Sequence, residues 1–128
     1  MTTIPKEICP DYISEDGVVF SNDKTILLDC PKELKGDYII PDTVVEIDDY
    51  AFAGCSGLTS ITIPASVKKI GICAFADCTG LTYISIPCST TWIAAHNAFH
   101  KCPAYIEVHP ENPVYISENG KLIKINKK

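Results

Sequence analysis

The sequence predicts a parallel β solenoid built from 23-residue coils, mostly β, with one short helical turn per coil and hairpin-like caps at both ends. Three observations carry this. Residues 38–60 and 61–83 repeat each other at a fixed offset of 23. Within each copy, apolar residues alternate at strand period and then stop at a proline. A shared motif, Y-I-S-E-[D/N]-G, brackets the repeats at residues 12–17 and 115–120.

The repeat fixes the coil. Pro41 maps onto Pro64, Val44 onto Val67, Ile47 onto Ile70, Phe52 onto Phe75, Cys55 onto Cys78 and Leu58 onto Leu81, each pair 23 residues apart. A third copy opens at Ile84, with Pro87 again 23 residues past Pro64. From proline to phenylalanine the first two copies span 11 residues and the third spans 12, so that coil carries one extra residue within 94–97.

In the segment Leu58–Ile63 the pattern L-x-x-I-x-I suits a strand, because β-branched side chains pack well on a pleated face. Pro64 ends the strand, having no N–H to give to the ladder. Val67 and Ile70 point inward from a second short stretch, and Ala74, Phe75 and Cys78 are expected to form the compact helical turn. No coil can bury its apolar set alone, so coils stack at about 4.8 Å, the strand spacing. Stacking aligns Phe52, Phe75 and Phe99 as an aromatic spine, with Cys55, Cys78 and Cys102 as a column beside it.

At the ends, Asp16-Gly17 and Asn119-Gly120 are tight-turn dipeptides flanked by strand residues, which predicts a hairpin shielding each open end. The organisation is one domain: an N-terminal capping segment over 1–37, three regular repeats over 38–107, and a C-terminal cap and tail over 108–128.

Composition narrows the function. The net charge of −5 and the lack of a basic stripe exclude nucleic acid as the expected partner. The lysines at 121, 124, 127 and 128 read as a solvated end. No stretch approaches the roughly 20 apolar residues of a spanning helix, so no membrane insertion is expected. Pro5, Lys6 and Glu7 stand where a secretory leader would be apolar. With Met1 as the native start, that reading places the chain in the cytoplasm.

The seven cysteines, at positions 9, 30, 55, 73, 78, 88 and 102, are an odd count with no C-x-x-C pair, which fits neither a closed disulfide framework nor a zinc finger. The ladder members are expected as buried free thiols. Cys9 and Cys30 fall outside that ladder and are open to pairing.

The unit I-P-A-S-V-K-K-I-G-I-C-A-F-A-D-C-T-G-L-T-Y-I-S-I-P resembles the BspA-type, or treponemal-type, leucine-rich repeat, whose pattern runs I-P-x-S-V-x-x-I-G-x-x-A-F-x-x-C-x-x-L. The resemblance covers about residues 11–125, and the A-F-x-x-C core at its 23-residue period is the specific part. It implies a leucine-rich-repeat solenoid, a parallel β superhelix. It also implies a secreted or cell-surface protein acting in adhesion or protein binding, with a host matrix or cell-surface protein as partner.

Candidate sites follow from the outward positions of each strand. One column is expected to read Asp37, Ser60, Tyr83, Glu107, and the next Ile39, Thr62, Ser85, His109; Thr59 and Thr82 belong to a third. Tyr83 is the expected anchor, an aromatic among small hydroxyls, although threonine and tyrosine also simply favour strands. Trp92 takes the slot of Glu46 and Lys69, which points to a partner, a neighbouring subunit or the C-terminal cap.

His96 and His100, four residues apart, lack a third ligand nearby and read as surface histidines, so no metal is assigned. Ser60, Ser66, Ser85 and Ser89 have no glycine-elbow context, and Asp48, Asp49 and Asp77 read as solvated corners. The expected function is a non-enzymatic protein-binding module without a cofactor. The alternatives are a structural spacer or assembly unit with no soluble ligand and, third, a metal-dependent enzyme; the sequence does not fix the oligomeric state.

Overall fold

The computed structural model describes residues 12–14, 16–94 and 97–125, and these contain strands and turns but no helix. The chain opens with β1 (Tyr12–Ile13), β2 (Val19–Phe20) and β3 (Ile26–Asp29). Longer and two-residue strands then alternate: β4 (Gly36–Ile39), β5 (Glu46–Ile47), β6 (Leu58–Thr62), β7 (Lys69–Ile70), β8 (Tyr83–Ile86), β9 (Trp92–Ile93) and β10 (Tyr105–Val108). A final hairpin is made of β11 (Tyr115–Glu118) and β12 (Lys121–Lys124).

Each coil therefore contributes one strand to each of two walls. The longer strands pair in parallel in the order β10-β8-β6-β4, and the short ones extend a second sheet, β1-β2-β3-β5-β7-β9. The register carries the 23-residue period into space: Ser60 lies opposite Tyr83, Ile61 opposite Ile84, Glu46 opposite Lys69 and Ile47 opposite Ile70. The prolines act as expected. Each ends a long strand, and its carbonyl accepts a turn bond from the residue three places on, Val44 to Pro41 at 3.1 Å and Val67 to Pro64 at 3.1 Å.

Between the walls lies one continuous core. Val44, Ile47, Leu58, Val67, Ile70, Leu81 and Ile84 are fully buried, as are Phe52 and Phe75. The phenylalanine spine forms: the rings of Phe52 and Phe75 stack with centroids 5.1 Å apart, and those of Phe75 and Phe99 at 5.4 Å. Tyr38 continues the stack below Phe52 at 6.0 Å, tilted. A cleft of about 550 Å³ beside Phe99, Cys102, Tyr105 and Leu122 leaves the last members of both ladders only partly buried.

The corner after the short strand is a turn where a helical turn was expected, and the hydrogen bonds explain why. Alternate residues donate outward to the next coil: Phe52 to Ala74 at 2.7 Å, Gly54 to Ala76 at 2.8 Å, Phe75 to Ala98 at 2.8 Å and Asp77 to His100 at 2.8 Å. Those N–H groups are taken by neighbouring coils and cannot make the i→i−4 bonds of a helix. The residues between them close i→i−3 turns, such as Ala53 to Tyr50 and Ala76 to Cys73, each at 3.1 Å.

This alternation requires left-handed backbone at fixed points, at Tyr50 (φ 61°) and Cys73 (φ 54°), and at Gly54 (φ 77°), Asp77 (φ 59°) and Lys101 (φ 54°). Only the first coil places glycine in the second series. Left-handed backbone costs an ordinary L-residue about 1–2 kcal/mol, partly offset by glycine's larger unfolded-state entropy. Lys101→Gly is therefore expected to stabilise the chain by about 0.5–1 kcal/mol. A denaturant midpoint that rises at constant slope confirms this; an unchanged or lower one refutes it.

A further cysteine meets the foot of the cysteine column. Cys30 is buried there in the backbone slot of Phe52: its N–H donates to the Ala51 carbonyl at 2.8 Å as that of Phe52 does to Ala74. The Cys55 thiol lies 3.6 Å from the Cys30 carbonyl oxygen and 3.9 Å from that of Pro31, which the Cys30 thiol also approaches at 3.7 Å. The link is missed in sequence because the offset from Cys30 to Cys55 is 25 residues. Cys30, Cys55, Cys78 and Cys102 are free thiols, and burial pushes the Cys78 thiol up to about 12. Cys9 lies outside the described residues.

The two hairpins close different things. At the N-terminus β1 and β2 pair antiparallel and join β3, so they cap the short-strand sheet and leave β4 at the edge of the other. At the C-terminus Asn119 (φ 55°) and Gly120 (φ 78°) are both left-handed, the signature of a type I′ turn. This hairpin lies against β10, whose Ile106 donates to the Gly120 carbonyl at 2.9 Å, while the Ser117 hydroxyl donates to the Ile106 carbonyl.

Beneath it, Asn112 continues the column Val44–Val67–Thr90 and is fully buried. Its amide donates to the carbonyls of Pro87 and Thr90, both at 2.9 Å, and its carbonyl oxygen accepts from Val114 and Tyr115, both at 2.9 Å. The Tyr115 hydroxyl also accepts from the Ile93 amide at 2.7 Å. A polar side chain thus occupies the apolar slot where stacking stops, and it satisfies the backbone that a further coil would have satisfied.

Candidate binding face

The outward positions of β4, β6, β8 and β10 form one face. Its first column is Asp37, Ser60, Tyr83 and Tyr105, and its second is Ile39, Thr62, Ser85 and Glu107. This corrects the expected register in the last coil. Glu107 was expected beside Tyr83 and instead stands opposite Ser85; His109, expected in the second column, falls past the end of β10.

The cause is a shortening after Cys102. Cys78 reaches Tyr83 in five residues, whereas Cys102 reaches Tyr105 in three, with Pro103-Ala104 in place of Thr79-Gly80-Leu81-Thr82. With the extra residue earlier in the same coil, the offset from Tyr83 to Tyr105 becomes 22. Ile70 still pairs with Ile93 at an offset of 23, and Phe75 stacks on Phe99 at 24, so the insertion falls between those points.

Tyr105 is the residue that the sequence reading missed. Its signal was available: Tyr105-Ile106-Glu107-Val108 matches Tyr83-Ile84-Ser85-Ile86 in aromatic and aliphatic positions. Tyr83 is 41% exposed and Tyr105 54%, in adjacent strands and opposite one another. The ring of Tyr105 lies over Gly120, where even a Cβ would come within 2.5 Å of it, so the C-terminal hairpin positions that ring.

Hydroxyl groups tie the face together. The Ser60 hydroxyl donates to Asp37 at 2.7 Å and that of Thr59 to the same carboxylate oxygen at 3.2 Å. The Tyr83 hydroxyl donates to Glu107, and this bond to a carboxylate raises the Tyr83 pKa above its ordinary value. Thr82 bonds the Thr59 carbonyl at 3.0 Å. Thr62 is exposed and Ser85 half-buried on the second column, which begins with Ile39, 71% exposed.

Trp92 lies apart, on β9 of the other wall. It is exposed, and the Lys69 ammonium sits over its ring at 4.9 Å. The stacking of Trp92 on Lys69 in the coil below follows from the shared slot. The C-terminal cap reaches that strand through Tyr115 at Ile93. His100 is exposed, and His96 lies outside the described residues. Among the described residues no three His, Cys, Asp or Glu side chains are grouped to hold a metal ion, and no helix is long and apolar enough to cross a membrane.

Comparison with known proteins fits this geometry. The chain is similar to the leucine-rich repeat protein of T. pallidum, with 29% identity and a TM-score of 0.59 over 82% of its length, which is 49% of that chain. It therefore spans about half of that relative. The pneumococcal vaccine antigen PcpA aligns at 13% identity and a TM-score of 0.46 over 90% of this chain and 54% of its own. A leucine-rich cell surface protein from Faecalibacterium prausnitzii aligns at 22% identity and 0.41 over 77% and 37%. Comparison with curated protein sequences gives no match. The model of the BspA type leucine rich repeat region matches residues 32–122 in six copies, and with its coils, spine and register in place the chain belongs to the BspA-type leucine-rich repeat family.

Proposed function

We propose that this chain is a protein-binding module that works through the face of β4, β6, β8 and β10, as part of a secreted or cell-surface adhesion or interaction protein. The observation that carries the reading is the exposed tyrosine pair, Tyr83 and Tyr105, set among small hydroxyls on a rigid parallel sheet. Amphipathic rings held in place bury much apolar area at little entropic cost and so make good interface anchors. Family membership supports the surface placement. Binding rather than catalysis fits the face, where the hydroxyls of Ser60, Thr59 and Tyr83 each donate to a carboxylate and none to an imidazole base.

Tyr83→Ala combined with Thr62→Asp is expected to abolish binding to immobilised host matrix proteins that retain the wild-type chain, with the thermal midpoint nearly unchanged because both side chains are exposed. Full retention by the double variant would move the contact off this face.

A second reading, an assembly unit, has one observation in its favour: β4 has a single sheet neighbour among the described residues, and Ile39 on it is the most exposed large apolar residue described. Light scattering separates the two, since end-to-end assembly raises the mass with concentration.

A further inference from the structure

We infer that the partner of this face is a cationic, extended segment with two basic side chains about four residues apart. The inference rests on the proposed protein-binding face and adds the chemistry of what it binds. Neither lysine nor arginine occurs on β4, β6, β8 or β10, although the chain holds eleven basic residues. The charges that these strands present are Asp37 at one edge and Glu107 at the other. Tyr83 stands on the strand next to Glu107 and Tyr105 on the same strand as Glu107, and the faces of both rings attract a cation.

Both carboxylates are held in place by neighbouring hydroxyls, Asp37 by Ser60 and Thr59 and Glu107 by Tyr83. A carboxylate has about four lone-pair sites, so these bonds leave acceptor capacity for a guanidinium. The other sheet carries both signs, with Asp29, Glu46 and Lys69 on its strands, so a purely acidic set of charges is particular to this face, as electrostatic complementarity to a basic partner requires.

Spacing sets the partner's pattern. Asp37 and Glu107 are three strands apart and one column over, which at ~4.8 Å per strand and ~3.3 Å per residue places them roughly 16 Å apart. An extended segment with basic residues at i and i+4 puts both on one side about 13 Å apart, and the reach of two arginine side chains covers the rest.

The test uses three fluorescein-labelled nine-residue peptides of Ser, Thr and Gly. One has Arg at positions 3 and 7, one has Arg at 3 and 4, and one has Gln at 3 and 7. Fluorescence anisotropy is measured against the full chain and against the double variant Asp37→Asn, Glu107→Gln, which keeps hydrogen-bond acceptors and removes charge.

The spaced arginine peptide is expected to bind at least tenfold more tightly than the glutamine peptide and severalfold more tightly than the adjacent-arginine one. The double variant should reduce it to the glutamine level, and added salt should weaken it. Equal binding of all three peptides, no binding by any, or an arginine preference that survives the double variant overturns the cationic inference. The face itself is judged separately by Tyr83→Ala. Peptide binding that is charge-blind yet lost in Tyr83→Ala keeps the face and removes only the cationic partner, whereas binding indifferent to both sets of changes removes both.

Discussion

Replacing Phe75 with alanine is expected to cost about 3–5 kcal/mol and to abolish a single cooperative unfolding transition. The ring is fully buried and is the middle of the spine, stacked on Phe52 at 5.1 Å and on Phe99 at 5.4 Å. Its removal opens a cavity that touches two inter-coil interfaces at once. In a repeat array, stability is a sum of coil and interface terms, so a central gap uncouples the two halves. Typical domains hold only about 5–15 kcal/mol in total, which makes this loss decisive. Circular dichroism during thermal unfolding is the measurement. A single transition at the wild-type midpoint would refute the stacking register. Phe99→Ala should cost less, because that ring is only partly buried beside the terminal cleft.

The second large effect is expected at Asn112. Asn112→Ala strips partners from the carbonyls of Pro87 and Thr90 and from the amides of Val114 and Tyr115. Each buried polar group left unpaired costs about 1–3 kcal/mol, and the Pro87 carbonyl keeps the Thr90 N–H, so a total of about 3 kcal/mol or more is expected. The loss should be local. Hydrogen exchange is expected to accelerate at Ile93 and Ile106, beside the hairpin, while amides of β6 keep their protection. Uniform acceleration through every coil would show that Asn112 supports the whole solenoid and not its end.

These two residues differ in how they could be read. The spine was legible because Phe52 and Phe75 recur at an unbroken 23-residue offset with identical neighbours. Asn112 was not, since a lone polar residue between Glu111 and Pro113 looks like a loop until the column Val44–Val67–Thr90 is seen to run into it. Cys30 escaped for a related reason. Its offset of 25 from Cys55 breaks the period because Cys30 stands in the slot of Phe52, 22 residues before it, and lies beside the column from there. The face was half legible. Tyr83 and its hydroxyl neighbours follow from strand alternation, but Tyr105 and the true place of Glu107 depend on an insertion and a deletion inside one coil.

The sequence by itself determined the repeat, the proline-ended strands, the inward and outward alternation and the family, because each is local or periodic and periodicity survives without coordinates. The tertiary structure alone decided how the corners bond, which sheet each hairpin closes and which tyrosine stands beside Tyr83. The physical reason is that these depend on hydrogen bonds between coils. A backbone N–H given to the next coil is lost to a helix, and a strand's partner is fixed by cumulative spacing around the coil, which one inserted or deleted residue resets.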